Sequence, residues 1–176
     1  MEQTNYGDKN YQIKAEKIER VGDNIYPPLS PSAEEMLSKG VQLLNQRVYS
    51  EAESVLKDAI KTDPSLSDAY YYLAIALLRG RKPRKIDGWT IQDIEEKLNA
   101  AIDGNAKSSK YYVLLAIVKH GHYAMNSFIE SSPTSAQLFS LGESIQAEHA
   151  REILDHLDDP LNPYWVRLDN KFGKHY

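Results

Sequence analysis

AEEMLSKGVQLLNQRVYSEAESVLKDAIKTDPSL, residues 33–66, reads as one complete helix–turn–helix unit. Met36, Leu43 and Leu56 fill its apolar positions, and Gly40, Ala52 and Ala59 fill its small ones. Pro64 closes the second helix, because a proline lacks the backbone donor and clashes with the turn before it.

Downstream the pattern returns with stretched spacing. Ser67 to Leu78, SDAYYYLAIALL, repeats the first helix, with Asp68 near its cap, Tyr70 and Leu73 on the apolar stripe and Ala74 in the place of Gly40. IQDIEEKLNAAIDGNA then answers Ala52, Leu56 and Ala59 with Ile94, Leu98 and Ala101. Ala74 and Ala101 are 27 residues apart where Gly40 and Ala59 are 19 apart, so eight extra residues enter through the turn between these helices, in RGRKPRKIDGWT. A third unit opens at SSKYYVLLAIVK, where Tyr112, Leu115 and Ala116 echo Tyr70, Leu73 and Ala74. Its second half is irregular. Pro133 marks a turn, and a helical period through Leu138, Leu141, Ile145, Ala150 and Leu154 predicts one long helix from about Ser135 to Leu157.

Gly40, Ala52, Ala59 and Pro64, all in register over a ~34-residue period, resemble the tetratricopeptide repeat, in which two antiparallel helices pack closely enough to require small residues. The resemblance implies an all-α fold: a tetratricopeptide-like superhelical array of about three repeats, at 33–66, 67–106 with a basic insertion at 79–90, and an irregular 108–157. The helical domain spans 31–159, and the tail, 160–176, is expected to pack back onto it through Tyr164 and Trp165.

Residues 1–30 stand outside the helical pattern and form an N-terminal arm. Gly7-Asp8-Lys9-Asn10-Tyr11 and Gly22-Asp23-Asn24-Ile25-Tyr26 look like one motif used twice, with Gln12-Ile13-Lys14-Ala15 alternating between them. Such punctuation favours short strands and turns. Two alternatives stay open: a flexible polar arm, or a β-prone segment that pairs with itself or, through residues 1–27, with a second copy of the chain.

In this repeat family the first helices of successive units line a concave face. Carried over, the resemblance puts Leu37, Val41 and Leu44, then Tyr71, Ile75 and Leu78, then Lys110, Val113 and Ile117 into a partner-binding groove. Relatives that grip a peptide carboxylate do so with Lys, Asn and Arg. Here Leu37, Val41, Tyr72 and Leu114 stand in those places and only Lys110 fits, so an apolar groove is expected instead. Such a surface calls for a cover: a partner's amphipathic helix, a second copy, or the chain's own tail through Tyr164, Trp165 and Val166. The opposing expectation is that Val41, Ile75 and Ile117 pack against one another as core.

The insertion carries Arg79, Arg81, Lys82, Arg84 and Lys85, followed by Trp89. It reads either as a basic finger for phosphate or nucleic acid, with Trp89 for stacking, or as a solvated loop tethered by Trp89 and Ile91. Gly80-Arg81-Lys82-Pro83-Arg84 ahead of a helix resembles bacterial adaptor proteins of this repeat class, which implies an interaction role.

Composition bounds the rest. Over 176 residues, Lys+Arg 21 against Asp+Glu 25 gives no global field toward nucleic acid, and the absence of cysteine removes disulfides and thiolate chemistry. No apolar run approaches the ~18 residues needed to cross a bilayer, so no membrane partner is expected and the location is expected to be cytoplasmic. His120 with His122, and His149 with His156, offer pairs of metal ligands without a third at a recognised spacing; no metal or cofactor is expected. Glu95-Glu96 and Asp155, Asp158 and Asp159 read as a solvated face and a helix end. No phosphate loop or nucleophile elbow appears, and the expectation is a non-enzymatic adaptor that holds a protein partner. A homo-oligomer built through the arm, and a weak nucleic-acid or phosphate binder, are the alternatives.

Overall fold

A computed structural model describes residues 19–21, 24–26 and 30–173. The chain forms two units, Met1–Pro31 and Ser32–Tyr176. In the first, β1 (Glu19–Val21) and β2 (Asn24–Tyr26) pair antiparallel, with Arg20 opposite Ile25. The motif at 7–11 and the alternating 12–15 lie outside the described residues.

The second unit is all helical: α1 (Ala33–Asn45), α2 (Tyr49–Thr62), α3 (Ser67–Leu78), α4 (Gly88–Gly104), α5 (Ser109–His122), α6 (Ser135–Leu141), α7 (Ala147–His156) and α8 (Pro163–Phe172), with 3₁₀ turns at Pro83–Lys85 and Ala124–Asn126. Local sequence sets the starts. Ser32 opens α1 with a reciprocal capping box, its Oγ accepting from the Glu35 amide at 3.1 Å while Glu35 Oε2 accepts from the Ser32 amide at 2.8 Å. Asp87 accepts from the Thr90 amide to start α4, and Thr134 with Gln137 boxes the start of α6.

Helices pack chiefly on their sequence neighbours, α1 on α2, α3 on α4 and α5 on α6, with α2 on α3 and α4 on α5 joining the pairs. Gly40 shows how close the first pair lies: a Cβ there would sit 2.6 Å from Leu56 Cγ and Cδ2. The core runs from Leu44, Ala52 and Leu56 through α3 and α4 to Leu115, Ile117 and Val118 of α5, then to Leu138, Ile153, Leu157 and Leu168.

One expectation about the C-terminal part is corrected. The single helix predicted over Ser135–Leu157 is interrupted after Leu141. A Cβ on Gly142 would meet Val113 Cγ2 at 2.5 Å and Ser109 O at 2.9 Å, so α6 ends where its backbone abuts the first turn of α5, and the chain turns before starting α7. The tail, expected to pack back onto the helices through Tyr164 and Trp165, is itself helical over Pro163–Phe172. Pro163 at the first helical position and the Asn162 side chain, which accepts from the Tyr164 amide at 3.1 Å, start a helix that half-buries Tyr164, Trp165 and Phe172 against the core.

In the insertion, Trp89 is 85% exposed, contrary to its expected role as a tether. Pro83 and Ile86, both buried, hold the loop down with Ile91 instead. Pro83 packs against Gly121 of α5.

Candidate functional site

α3 and α5 are buried almost all round, as a helix without a polar face must be. Their expected groove residues Tyr71, Ile75, Leu78, Lys110, Val113 and Ile117 are therefore enclosed and not open surface, as is Leu44 of α1, so the opposing expectation holds for Ile75 and Ile117. Leu37 is half-buried against that core, and Val41 is half-buried at an opening. The chain itself supplies much of the cover.

α7 lies along α3. At its start, His149 and Glu152 come near Asp68 and Lys110. At its end, His156 comes near Arg47, and its carbonyl lies 3.9 Å from where a Cβ on Gly80 would stand. The face that packs inward carries Ala150 and Ile153, with Leu157 beyond the last turn. The other face is charged.

Lys110 ties this arrangement together. Its ammonium is 2.9 Å from Asp68 Oδ1 and stands over three tyrosine rings, at 4.6 Å from the Tyr71 centroid, 5.1 Å from Tyr72 and 5.6 Å from Tyr111. Tyr111 donates to the same Asp68 oxygen at 2.6 Å. Burial pushes the Asp68 carboxyl up, but the bonds from Tyr111 and Lys110 outweigh it and hold the group below its ordinary range. A lysine so enclosed has its charge compensated within the fold, which removes the one cation expected to meet a partner.

Between α1, α3 and α7 a cleft of about 450 Å³ stays open, lined by Val41, Asn45, Tyr72, Glu148, His149, Arg151, Glu152, Asp155 and His156. Val41 is the member of the expected groove that reaches it; the carboxylates come from α7. Burial raises the Glu152 carboxyl above its usual range, while the facing Tyr72 hydroxyl and the Lys110 ammonium pull it back down. Burial also lowers His156. Glu148 and Asp155, both exposed, outnumber the one arginine, Arg151, at the mouth beside the apolar Val41. A basic side chain flanked by an apolar one matches that lining.

Elsewhere the cations of the insertion are largely engaged. Arg79 pairs with Glu53 at 3.2 Å, Arg84 with Asp159 at 3.4 Å and Lys82 with Asp158 at 3.9 Å. Arg81 bonds the Leu78 carbonyl, and neither it nor Lys85 has an acidic partner among the described residues. Asp159 is no part of a solvated helix end: it is fully buried, with burial raising its carboxyl against the opposing pull of Arg84 and Lys82. Glu95 is likewise half-buried beside Tyr123, whose hydroxyl burial pushes up to about 12. The histidines do not converge. His120 packs edge-on to Tyr164 and His122 to Tyr123, and no cluster of three metal-binding side chains occurs among the described residues.

No protein-family model matches this chain, and no curated protein sequence matches it.

Proposed function

We propose that the chain is a non-enzymatic adaptor of the tetratricopeptide-repeat type whose concave side is partly filled by its own α7, leaving the cleft beside α1 for a protein partner. The close α1–α2 approach at Gly40 and the succession of paired helices support the repeat assignment. The open cleft carries the functional reading, because it joins Val41 and Tyr72 of the repeat helices to the acidic face of α7. The partner segment is basic with an adjoining apolar residue.

Glu148→Lys with Asp155→Lys tests this. Both side chains are exposed, so the fold has no reason to change, and inverting the mouth's charge removes the complement to a basic segment. Proteins co-purifying with the wild-type chain should be lost from the double variant while the circular dichroism stays the same. Undiminished co-purification would falsify the cleft as the docking site.

The paired strands β1 and β2 support a second reading, assembly through the arm. Strands of three residues are marginal alone and gain from adding to another edge. Light scattering with and without residues 1–31 tests it, since an unchanged mass excludes an assembling arm. A phosphate-binding role for the insertion rests only on Arg81 and Lys85, the two cations left without an acidic partner among the described residues.

A further inference from the structure

Large apolar side chains are normally scattered singly over a surface. In this fold several of the most exposed ones share one edge. Phe128 (56% exposed), Ile129 (95%) and Leu161 (65%) belong to the connections α5 to α6 and α7 to α8, and Trp89 (85%) stands in the first turn of α4, directly after the connection from α3. These connections are locked together around Arg84. The Asn126 side chain donates to the Arg84 carbonyl at 3.3 Å, and Arg84 pairs with Asp159 at 3.4 Å. Asn162 reaches in from the third connection to donate to the Ile117 carbonyl at 2.8 Å, beside the contact of Gly121 with Pro83. The second connection is fastened from below: buried Lys119 donates to the Ser131 carbonyl at 2.8 Å and to the Pro133 carbonyl at 2.7 Å. The apolar tips are thus carried on braced loops.

Arg81 and Lys85 belong to the connection that leads into α4, exposed and in no ion pair among the described residues, with Asp87 near Arg81. We propose that this edge is a peripheral docking surface for an anionic lipid bilayer, with Trp89, Phe128, Ile129 and Leu161 entering the interface and Arg81 and Lys85 meeting headgroup phosphates. Three features favour a lipid surface over a peptide. Side chains as exposed as Ile129 and Trp89 project instead of lining a groove, so the medium that covers them must yield around them. Tryptophan is the side chain best suited to the boundary between headgroups and acyl chains. Lys85, and Arg81 with Asp87 nearby, stand beside the apolar tips, and each basic side chain near an anionic interface adds to attraction. Such docking needs no spanning segment, and none of the described helices is long and apolar enough to cross a membrane.

The test uses the full chain and sedimentation with vesicles of phosphatidylcholine, with and without phosphatidylserine. Binding to the mixed vesicles is expected, with a blue shift of tryptophan emission, and weakening by about ten-fold or more when phosphatidylserine is omitted. Ile129→Ser with Phe128→Ser should weaken binding by at least about ten-fold. Both residues are exposed, so unchanged circular dichroism will show that the fold survives. Arg81→Gln with Lys85→Gln should remove the preference for phosphatidylserine. No binding to mixed vesicles overturns the proposal, as does binding that the loop substitutions leave unchanged, which would place lipid contact elsewhere in the chain. Equal binding to neutral and anionic vesicles also overturns it.

Discussion

Gly40→Ala places one methyl group where the α1–α2 pair has no room. Its carbon would lie 2.6 Å from Leu56 Cγ and Cδ2 and 3.3 Å from Cδ1, and Leu56 is fully buried, so it has no free space to swing into. Restoring ordinary contact requires about 1 Å of separation between the helices or an off-rotamer leucine, which costs about 1–3 kcal/mol. Against this, alanine is the better helix former by about 1 kcal/mol. The balance is a net loss of up to about 2 kcal/mol. Gly88→Ala supplies the opposite case. Nothing lies within 4 Å of a Cβ at that position in the first turn of α4, so only the backbone term operates and the protein gains up to about 1 kcal/mol. Urea unfolding followed by far-ultraviolet circular dichroism should therefore move the midpoint down for the first variant and up for the second, with equal m-values. Leu56→Ala sharpens the experiment: alone it costs about 2–5 kcal/mol, but in its background the methyl at position 40 enters the vacated space and the sign of Gly40→Ala reverses. If Gly40→Ala is as stable as wild type, or its effect is the same with and without Leu56, then the close approach of α1 and α2 is not what makes position 40 small.

Other consequences follow from the buried charges. Arg84→Met leaves the Asp159 carboxylate enclosed, with one oxygen already lacking a hydrogen-bond donor. Unfolding should become easier by about 1–3 kcal/mol, less than for a fully buried pair because Arg84 is partly exposed, and Asp159→Asn in the same chain should recover most of it. His156 has a folded pKa held down by burial, so between that value and the unfolded ~6.5 the unfolded chain binds more protons and stability falls as pH drops. His156→Gln should remove this part of the slope, measured as the difference between the two chains' urea midpoints across mildly acidic pH; parallel curves would contradict it. Asp68 behaves in the reverse sense from a raised carboxyl: its lowered pKa adds stability above the unfolded ~3.9 that is lost as pH falls through the folded value. Lys110→Met weakens that lowering, so the variant, though less stable at neutral pH, should lose less on acidification in the same assay.

The first helix pair was legible because its constraint is local: the small residues and the closing proline all stand within residues 40–64. The cover over α3 was not legible in the same way. SDAYYYLAIALL and SKYYVLLAIVK are apolar on every face, which already says that each is enclosed, yet dividing those faces into a packing stripe and a groove put Tyr71 and Val113 in the groove and left Ile75 and Ile117 between groove and core. The enclosing element, α7, has a charged face and a helical period continuous with α6, so its separate course along α3 follows from a long-range fit at Gly142 against Val113 that no periodicity encodes. Trp89 and Asp159 mislead for a related reason. Side-chain type favoured an anchor for one and a solvated carboxylate for the other, while the bracing of the three loops around Arg84 reversed both. The acidic lining of the cleft escaped notice because Glu148, Glu152 and Asp155 gain meaning only once α7 is placed beside Val41 and Tyr72.

How a partner reaches the concave side depends on whether α7 moves. A helix tethered to its own site acts at an effective concentration in the millimolar range, so a partner competing for the same contacts must overcome that advantage before it gains anything. Displacement would also uncover the Lys110 ammonium and its three tyrosines, and would take Ile153 and Leu157 out of the core. A partner that lies in the cleft incurs none of this, since it uses the outer carboxylates of α7 and leaves the inner face packed. Hydrogen exchange separates the two modes. With partner bound, the amides of Ile153 to Leu157 should stay as protected as in the free chain, and protection should rise at Val41 and Asn45. Loss of protection along α7 on binding would mean that α7 is a displaceable internal ligand and that the true docking surface is the buried face of α3.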